Sequence, residues 1–424
     1  MKDSGIPWIG MIPSDWEVEP IGRNIHEVDN PNVGGKETNA LQFKAGTIIS
    51  KSVGDSKYHP TTLEAYNVVD AGVIMLNGLN LSFDLISQRV GLVQEKGVIT
   101  SAYLAIKPNE QIKSEFLTYL FKAYDARKAL HAMGKGLRQT LAWKELKSYS
   151  VVYPPLPTQQ RIADFLDRKC AEIDELAALQ ETMIAELKRY KQSVITEAVT
   201  KGLDPNVPMK DSGVEWIGEI PEGWEVKKVK NVTTAINKGN GITKEEVFAD
   251  GDTPCVRYGE IYSKYDNSFV TCISKTKKDV LSALHYFGNG DILCAGTGEL
   301  VEEIGKSIVY LGENKCLAGG DIIVLSHNQN PLFLNFALNS RYAQAQKSCS
   351  KAKLKVVHIS AYDIGSVLIA FPPLTEQRAI ADYLDKKCAE IDELIAIKQQ
   401  KIEALKEYKK SVIFEYVTGK KEVL

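Results

Sequence analysis

The chain has 424 residues, 44% hydrophobic and 25% charged, and its 52 basic and 54 acidic side chains give a net charge of −2. This length implies two to four domains, each able to bury a core, and the balance excludes both a disordered chain and a nonspecific polycation. No apolar run approaches the roughly 18 residues of a membrane span. The start, Met1-Lys2-Asp3-Ser4-Gly5, lacks the apolar stretch of a secretory signal, and seven cysteines without a CxxC pair read as reduced thiols of a cytoplasmic protein.

In chain order, residues 2–18 carry a frame motif: Lys2-Asp3-Ser4-Gly5, Trp8-Ile9-Gly10, Ile12-Pro13, Trp16-Glu17-Val18. The region up to residue 153 reads as β-rich, with strands at Val73–Leu76, Gly91–Val93 and Val98–Ile99 and a helix over Ser114–Leu130. Its end is basic. Between Lys122 and Lys147 lie seven basic residues, Lys128 among them, against Asp125 and Glu145. The turn Gly134–Thr140 sets Lys135, Arg138 and Gln139 close together. Tyr153-Pro154-Pro155-Leu156 then ends an extended segment and starts a helix, with Thr158 as its expected N-cap. No glycine follows until Gly202, so this helix spans about 40 residues. Leu166, Ile173, Leu187 and Val194 form one seven-residue track, and Leu176, Met183 and Tyr190 a second. This is a coiled-coil spacing, interrupted by Gln180.

From Lys210 the chain begins again. Residues 210–226 repeat the frame motif around Trp216 and Trp224. The next region barely resembles its counterpart, but it too reads as strands (Ile292–Leu293, Ser307–Tyr310, Asp321–Leu325) and a helix (Pro331–Ala345). It too ends in a basic cluster: Arg341, Lys347, Lys351, Lys353 and Lys355, without an acid. A basic run is ordinarily a solvated face; two at matched positions point to a surface that contacts phosphates. The block Pro372–Thr418 then matches Pro154–Thr200 at 29 of 47 positions. Thr375 is its expected N-cap, Leu384, Ile391, Leu405 and Val412 its main track, and Leu394 and Tyr408 its second. The division is therefore 1–153, 154–202, 203–371 and 372–424. The fold class is α+β: two β-rich globular domains alternating with two long helices, which pair as an antiparallel coiled coil about a pseudo-two-fold internal repeat.

A search for catalytic chemistry returns little. The Pro-Pro pairs lack the preceding Asn or Asp that an amino-methyltransferase needs. Gly239-Asn240-Gly241 and Gly296-Thr297-Gly298 fit no nucleotide-binding spacing and read as tight turns. Glu186-Leu187-Lys188 and Glu407-Tyr408-Lys409 read as surface ion pairs on helices, and the six histidines show no metal spacing. DNA-reading candidates are better placed. Arg138 and Gln139 have the shape to grip guanine and adenine edges with two bonds each. Lys351, Lys353 and Lys355 alternate as on one strand face, and Lys128, Lys135, Arg257, Tyr258 and Lys306 complete the set.

These features together resemble the specificity subunit of type I restriction–modification systems. The residues that carry the likeness are the two frame motifs (Gly5 to Trp16, Gly213 to Trp224), the two Pro-Pro-Leu starts with Gln159 and Gln377, and the helix segments Ala163-Asp164-Phe165-Leu166-Asp167 and Ala381-Asp382-Tyr383-Leu384-Asp385. The resemblance implies that each globular domain is a target-recognition domain for one half of a bipartite double-stranded DNA site. It implies that the helices set the spacing and dock two methyltransferase (M) subunits, which use S-adenosylmethionine, and that restriction/translocase (R) subunits using ATP and Mg complete the complex. It further implies that this chain is non-catalytic, with no cofactor, metal or membrane of its own. The alternatives are a stand-alone DNA methyltransferase or nuclease, for which no motif is found, and a coiled-coil adaptor that does not bind DNA.

Overall fold

A computed structural model describes the protein apart from residues 52–62, 83–87, 137–138, 240, 282–283, 299–303, 350–356 and 424. The fold is mixed α and β, and it divides into two units: Met1–Glu181 with Gln399–Leu424, and Thr182–Lys398. Two long helices, Leu156–Lys201 of 46 residues and Leu374–Val417 of 44, each contribute a segment to both units. Thr158 and Thr375 therefore lie inside their helices rather than capping them. Pro157 is tolerated so near the start because first-turn N–H groups have no partner within the helix.

In unit 1 the main sheet runs, in spatial order, Ile25–Glu27, Leu104–Pro108, Ile74–Leu76, Val90–Leu92, antiparallel throughout. Helix Ser114–Ala126 buries Phe116, Leu117, Leu120 and Phe121 in the same core as Trp16, Leu166, Cys170 and, from the far end of the second long helix, Val412 and Val417. In unit 2 the main sheet runs Thr233–Lys238, Ile322–His327, Ile292–Ala295, Ser307–Tyr310, with Ser268–Phe269 added at one edge. A second sheet of four short strands surrounds Thr253–Val256. Helix Pro331–Asn339 packs Phe333, Leu334 and Phe336 with Val194, Val199, Leu384 and Cys388.

The four shared strands follow one order in both units. The first strand of each region lies at the edge, next to the fourth, then the second and the third. The frame motif closes each unit in the same way. Gly202 and Gly419 end the long helices at φ +76° and +67°, a left-handed stop that favours glycine. A Cβ on Gly202 would press on Trp224, and one on Gly419 would press on Pro13 and Trp16.

Two expected helices are broken. Ser114–Leu130 splits into Ser114–Ala126 and Ala129–Met133 because Lys128 adopts φ 59°. Pro331–Ala345 stops at Asn339, and the Ser340 hydroxyl caps a new helix, Arg341–Ser348. Thr297–Gly298, expected in a turn, is a short strand paired with Val357–His358.

Along the long helices Leu166, Ile173, Val194, Leu384, Ile391 and Val412 are buried, and Leu187 and Leu405 are half-buried. The second track is a correction. Leu176, Tyr190, Leu394 and Tyr408 are 44–50% exposed, and Met183 is 37% exposed. The positions that accompany the main track lie four residues on: Cys170, Ala177, Ile184, Lys191 and Ala198 in the first helix, Cys388, Ile395, Ile402 and Lys409 in the second, all buried or half-buried. Within unit 1 the rings of Phe165 and Tyr416 lie 4.4 Å apart, and Lys409 reaches Asp174 at 2.6 Å. Within unit 2 Lys191 reaches Asp392 at 2.5 Å, and the Lys398 ammonium lies 3.5 Å from the Met183 sulfur. In each unit rising numbers on one helix meet falling numbers on the other.

Candidate nucleic-acid interface

The surfaces that could meet DNA are held by a clamp used twice. Gln159, fully buried, accepts the backbone N–H of Lys113 at 2.7 Å and donates to the Pro154 carbonyl at 2.8 Å. Gln377, 1% exposed, accepts the N–H of Asn330 at 3.1 Å and donates to the Pro372 carbonyl at 3.0 Å. Lys113 and Asn330 are the residues from which helices Ser114–Ala126 and Pro331–Asn339 start. Each clamp thus locks the start of a long helix to the helix that backs the sheet. The far ends of those backing helices are also alike: Asp125 accepts the N–H of Arg89 at 2.9 Å, and Asn339 accepts that of Ser307 at 3.0 Å.

In unit 1 the basic residues lie in the chain on either side of Gly134–Thr140 and within it. Lys135 and Thr140 exchange two backbone hydrogen bonds, of 3.1 and 3.0 Å, and close the turn. Lys135 and Gln139 are exposed, and Gln139 takes φ 44°. The Gln139 carbonyl accepts the N–H of Leu81, which anchors the turn. Lys128 is exposed at the break between the two helices. Arg138 lies outside the described residues. Not all of the cluster is available to a ligand: the Arg127 guanidinium stacks 4.4 Å from the Phe414 ring, and Lys122 is half-buried, its pKa lowered chiefly by desolvation.

Unit 2 differs. Lys351, Lys353 and Lys355 lie outside the described residues. Lys347 is 3% exposed and donates to the Gly305 carbonyl at 2.8 Å, and burial pulls its pKa down to about 8. It therefore belongs to the core side of its helix, with Tyr342 and Ala343. Lys306 is half-buried and donates to the Tyr265 carbonyl at 3.3 Å. Arg257 and Tyr258, by contrast, line an open cleft of about 670 Å³, together with Lys238, Lys244 and Asp321. Lys238 and Lys244 were not singled out from the sequence. They flank the glycine-rich stretch Gly239–Gly241, whose only signal was its resemblance to a turn. Among the described residues no group of three or more His, Cys, Asp or Glu side chains could hold a metal, and no helix is long and apolar enough to cross a membrane.

Comparison with known proteins agrees with this architecture. The family model for the type I restriction modification DNA specificity domain matches residues 90–189 and 221–407. The type I restriction enzyme MjaVIII specificity subunit of Methanocaldococcus jannaschii is 24% identical, over 96% of this chain and 93% of its own length. Among solved structures, a chain from work on complex assembly and conformational transition of the type I R-M system superposes with a TM-score of 0.71 at 17% identity, covering 96% of this chain and 98% of its own. The HsdS subunit from Thermoanaerobacter tengcongensis gives 0.51 at 16% identity, over 96% and 98%. With the twofold frame, the shared strand order and a family match over most of its length, the chain belongs to the type I restriction–modification DNA specificity family.

Proposed function

We propose that this chain is the non-catalytic subunit that supplies the DNA target to a type I restriction–modification complex, each unit reading one half of a bipartite double-stranded site. The observation that carries the reading is a pair of sheets with one strand order and one glutamine clamp, bearing different basic surfaces: an exposed turn in unit 1 and a cleft in unit 2. A constant scaffold with variable tips suits a protein that must recognise two unrelated short sequences. In this reading the long helices form an antiparallel coiled coil about a pseudo-two-fold axis and act as the spacer between half-sites. Support comes from the buried seven-residue tracks and the opposed pairing of Asp174 with Lys409 and of Lys191 with Asp392.

The outer side chains have a role of their own. Leu176, Leu179, Met183 and Tyr190 are exposed along the first helix, as are Leu394, Ile397 and Tyr408 along the second. Large apolar residues at helical spacing and left in water favour a protein partner. Here the partners are two methyltransferase subunits, which bring S-adenosylmethionine; restriction/translocase subunits using ATP and Mg complete the assembly. A gel shift with a duplex carrying the methylated motif, run with and without co-expressed methyltransferase subunits, tests the reading. A specific shift that strengthens with the subunits is expected. Methyltransferase capture without any DNA shift would instead make the chain an adaptor.

A further inference from the structure

We propose that the cleft in unit 2 is where that unit reads a guanine of its half-site, with Arg257 as the specificity-determining residue and Lys238 and Lys244 on the flanking phosphates; this rests on the reading of the chain as a DNA specificity subunit. The cleft lies where three segments meet: the end of strand Thr233–Lys238, the start of helix Tyr258–Ser263, and the turn leading into strand Ile322–His327. Backbone bonds tie these segments together. The Gly239 N–H donates to Ile322 at 2.8 Å, and the Gly319 N–H to Val256 at 2.7 Å. A Cβ on Gly239 would collide with the backbone of Ala318 and Gly319, so this close approach requires glycine. At Gly241 and Gly259 a Cβ would meet nothing within 4 Å. Those two glycines leave the walls low and bring backbone within reach of a ligand.

The charges fit an anionic ligand. Among the described lining residues, three cations stand against the single carboxylate of Asp321. Arg257 makes a long ion pair with its neighbour Glu260. Glu260 already accepts the Arg257 backbone N–H at 3.0 Å and the Ser274 hydroxyl, and the guanidinium lies 3.7 Å from it. The Arg257 Nε is buried without a hydrogen-bond partner, while the side chain as a whole keeps 30% of its exposure. A guanidinium lining the cleft presents a planar fork of donors that matches the O6 and N7 acceptors of guanine. Tyr258, 41% exposed beside it, offers a ring for stacking or a hydroxyl for a phosphate. The Asp321 side of the cleft is tied down as well: the Ile359 N–H donates to the Gly296 carbonyl at 2.9 Å, and the Gly296 N–H to the Asp321 carbonyl at 2.6 Å.

The test uses the full chain assembled with its co-expressed methyltransferase subunits. Competition binding is measured against the duplex defined by mapping methylated sites and against duplexes mismatched at one position. Arg257→Lys keeps the charge and removes the fork. It should reduce discrimination about 10- to 100-fold at one G·C pair of the half read by unit 2 and leave the other half unchanged. Gly241→Leu fills the cleft at a position with open space, so melting should hold while cognate affinity falls at least about tenfold. Lys238→Ala should weaken all sequences alike and make the salt slope shallower by about one. If Arg257→Lys lowers the melting temperature, Gly241→Leu decides. Wild-type specificity with discrimination and affinity unchanged in both variants overturns the cleft and leaves the specificity reading standing. Weakened binding in Gly241→Leu with full discrimination in a well-folded Arg257→Lys overturns Arg257 as the reader. A wild-type complex with no sequence preference overturns both proposals.

Discussion

Units 1 and 2 share what a scaffold needs and differ in what a reader needs. Both have the same strand order, a glutamine bonded to the start of a backing helix, and a tryptophan against a helix-ending glycine. These features are buried, so packing and hydrogen bonding constrain them from every side. The surfaces beyond the sheets have no such constraint. Unit 1 offers Lys135 and Gln139 on a turn, and unit 2 offers Arg257 in a cleft. Even inside the frame a difference survives at the end of the backing helix. The carboxylate of Asp125 supports Arg89, which is 1% exposed and whose guanidinium donates to the carbonyls of Asn77 and Leu79 at 2.9 Å, whereas neutral Asn339 supports Ser307. Arg89 lies just before strand Val90–Leu92 and Ser307 opens strand Ser307–Tyr310, and in both units the group accepted is the backbone N–H.

The largest effect expected is on the helices. Ile173 and Ile391 are 3% and 2% exposed. Ile173→Asp and Ile391→Asp each bury an unpaired carboxylate and should cost on the order of 3–5 kcal/mol by denaturant unfolding, with weaker methyltransferase recruitment. Equal losses support equivalent roles for the two helices; unchanged unfolding in either variant would break the comparison. The glutamine clamps sharpen it further. Gln159→Leu and Gln377→Leu each strip partners from buried backbone groups and should cost about 2–3 kcal/mol. The two costs should agree within about 1 kcal/mol, and a negligible cost in one unit would show that its clamp is not part of a common frame.

Lys347 gives unit 2 a pH dependence of its own. Its folded pKa, down at about 8, lies below the ordinary lysine value of 10.5. Between those values the unfolded chain holds more protons, so stability should rise with pH across that window, by on the order of 1–3 kcal/mol. Lys347→Met should remove the rise, and a melting-versus-pH profile identical to wild type would refute the burial argument. The smallest effect is at the exposed turn of unit 1. Lys135→Ala should weaken binding to all duplexes alike and make the salt slope shallower by about one, as expected for a single phosphate contact. A loss confined to one base position would make Lys135 a base reader instead.

The sequence displayed the frame because the frame is written in side chains: the tryptophans, the Pro-Pro starts and the long glycine-free helices all carry local signals. Strand Ser307–Tyr310 coincides with its expected bounds, because a buried strand reads as a continuous β-branched and aromatic run. The common strand order was hidden, since ladders form between backbone groups and leave little trace when the side chains differ. The second helix track was misread because Leu176, Met183 and Tyr190 look like core. The positions that accompany the main track in the first helix hold Cys170, Ala177 and Ala198 beside the single large apolar Ile184, and Lys191, which is half-buried while its ammonium reaches Asp392. Lys347 was assigned to the surface on charge alone. The helical spacing from Ala343 puts it on the buried face, a signal present but outweighed. The cleft leaves no trace in the sequence, because the strands that Lys238 ends and Arg257 follows belong to different sheets and meet through residues 319–322, which bond to Gly239 and Val256.

The account rests on one frame carrying two independent readers, and replacing residues 225–371 with the corresponding region of a relative tests it most directly. The chimaera is co-expressed with the methyltransferase subunits, and methylated sites are mapped across a genome. The account predicts a new sequence in one half of the bipartite motif, with the other half and the gap between them preserved. A change in both halves, or in neither with methylation intact, would contradict it.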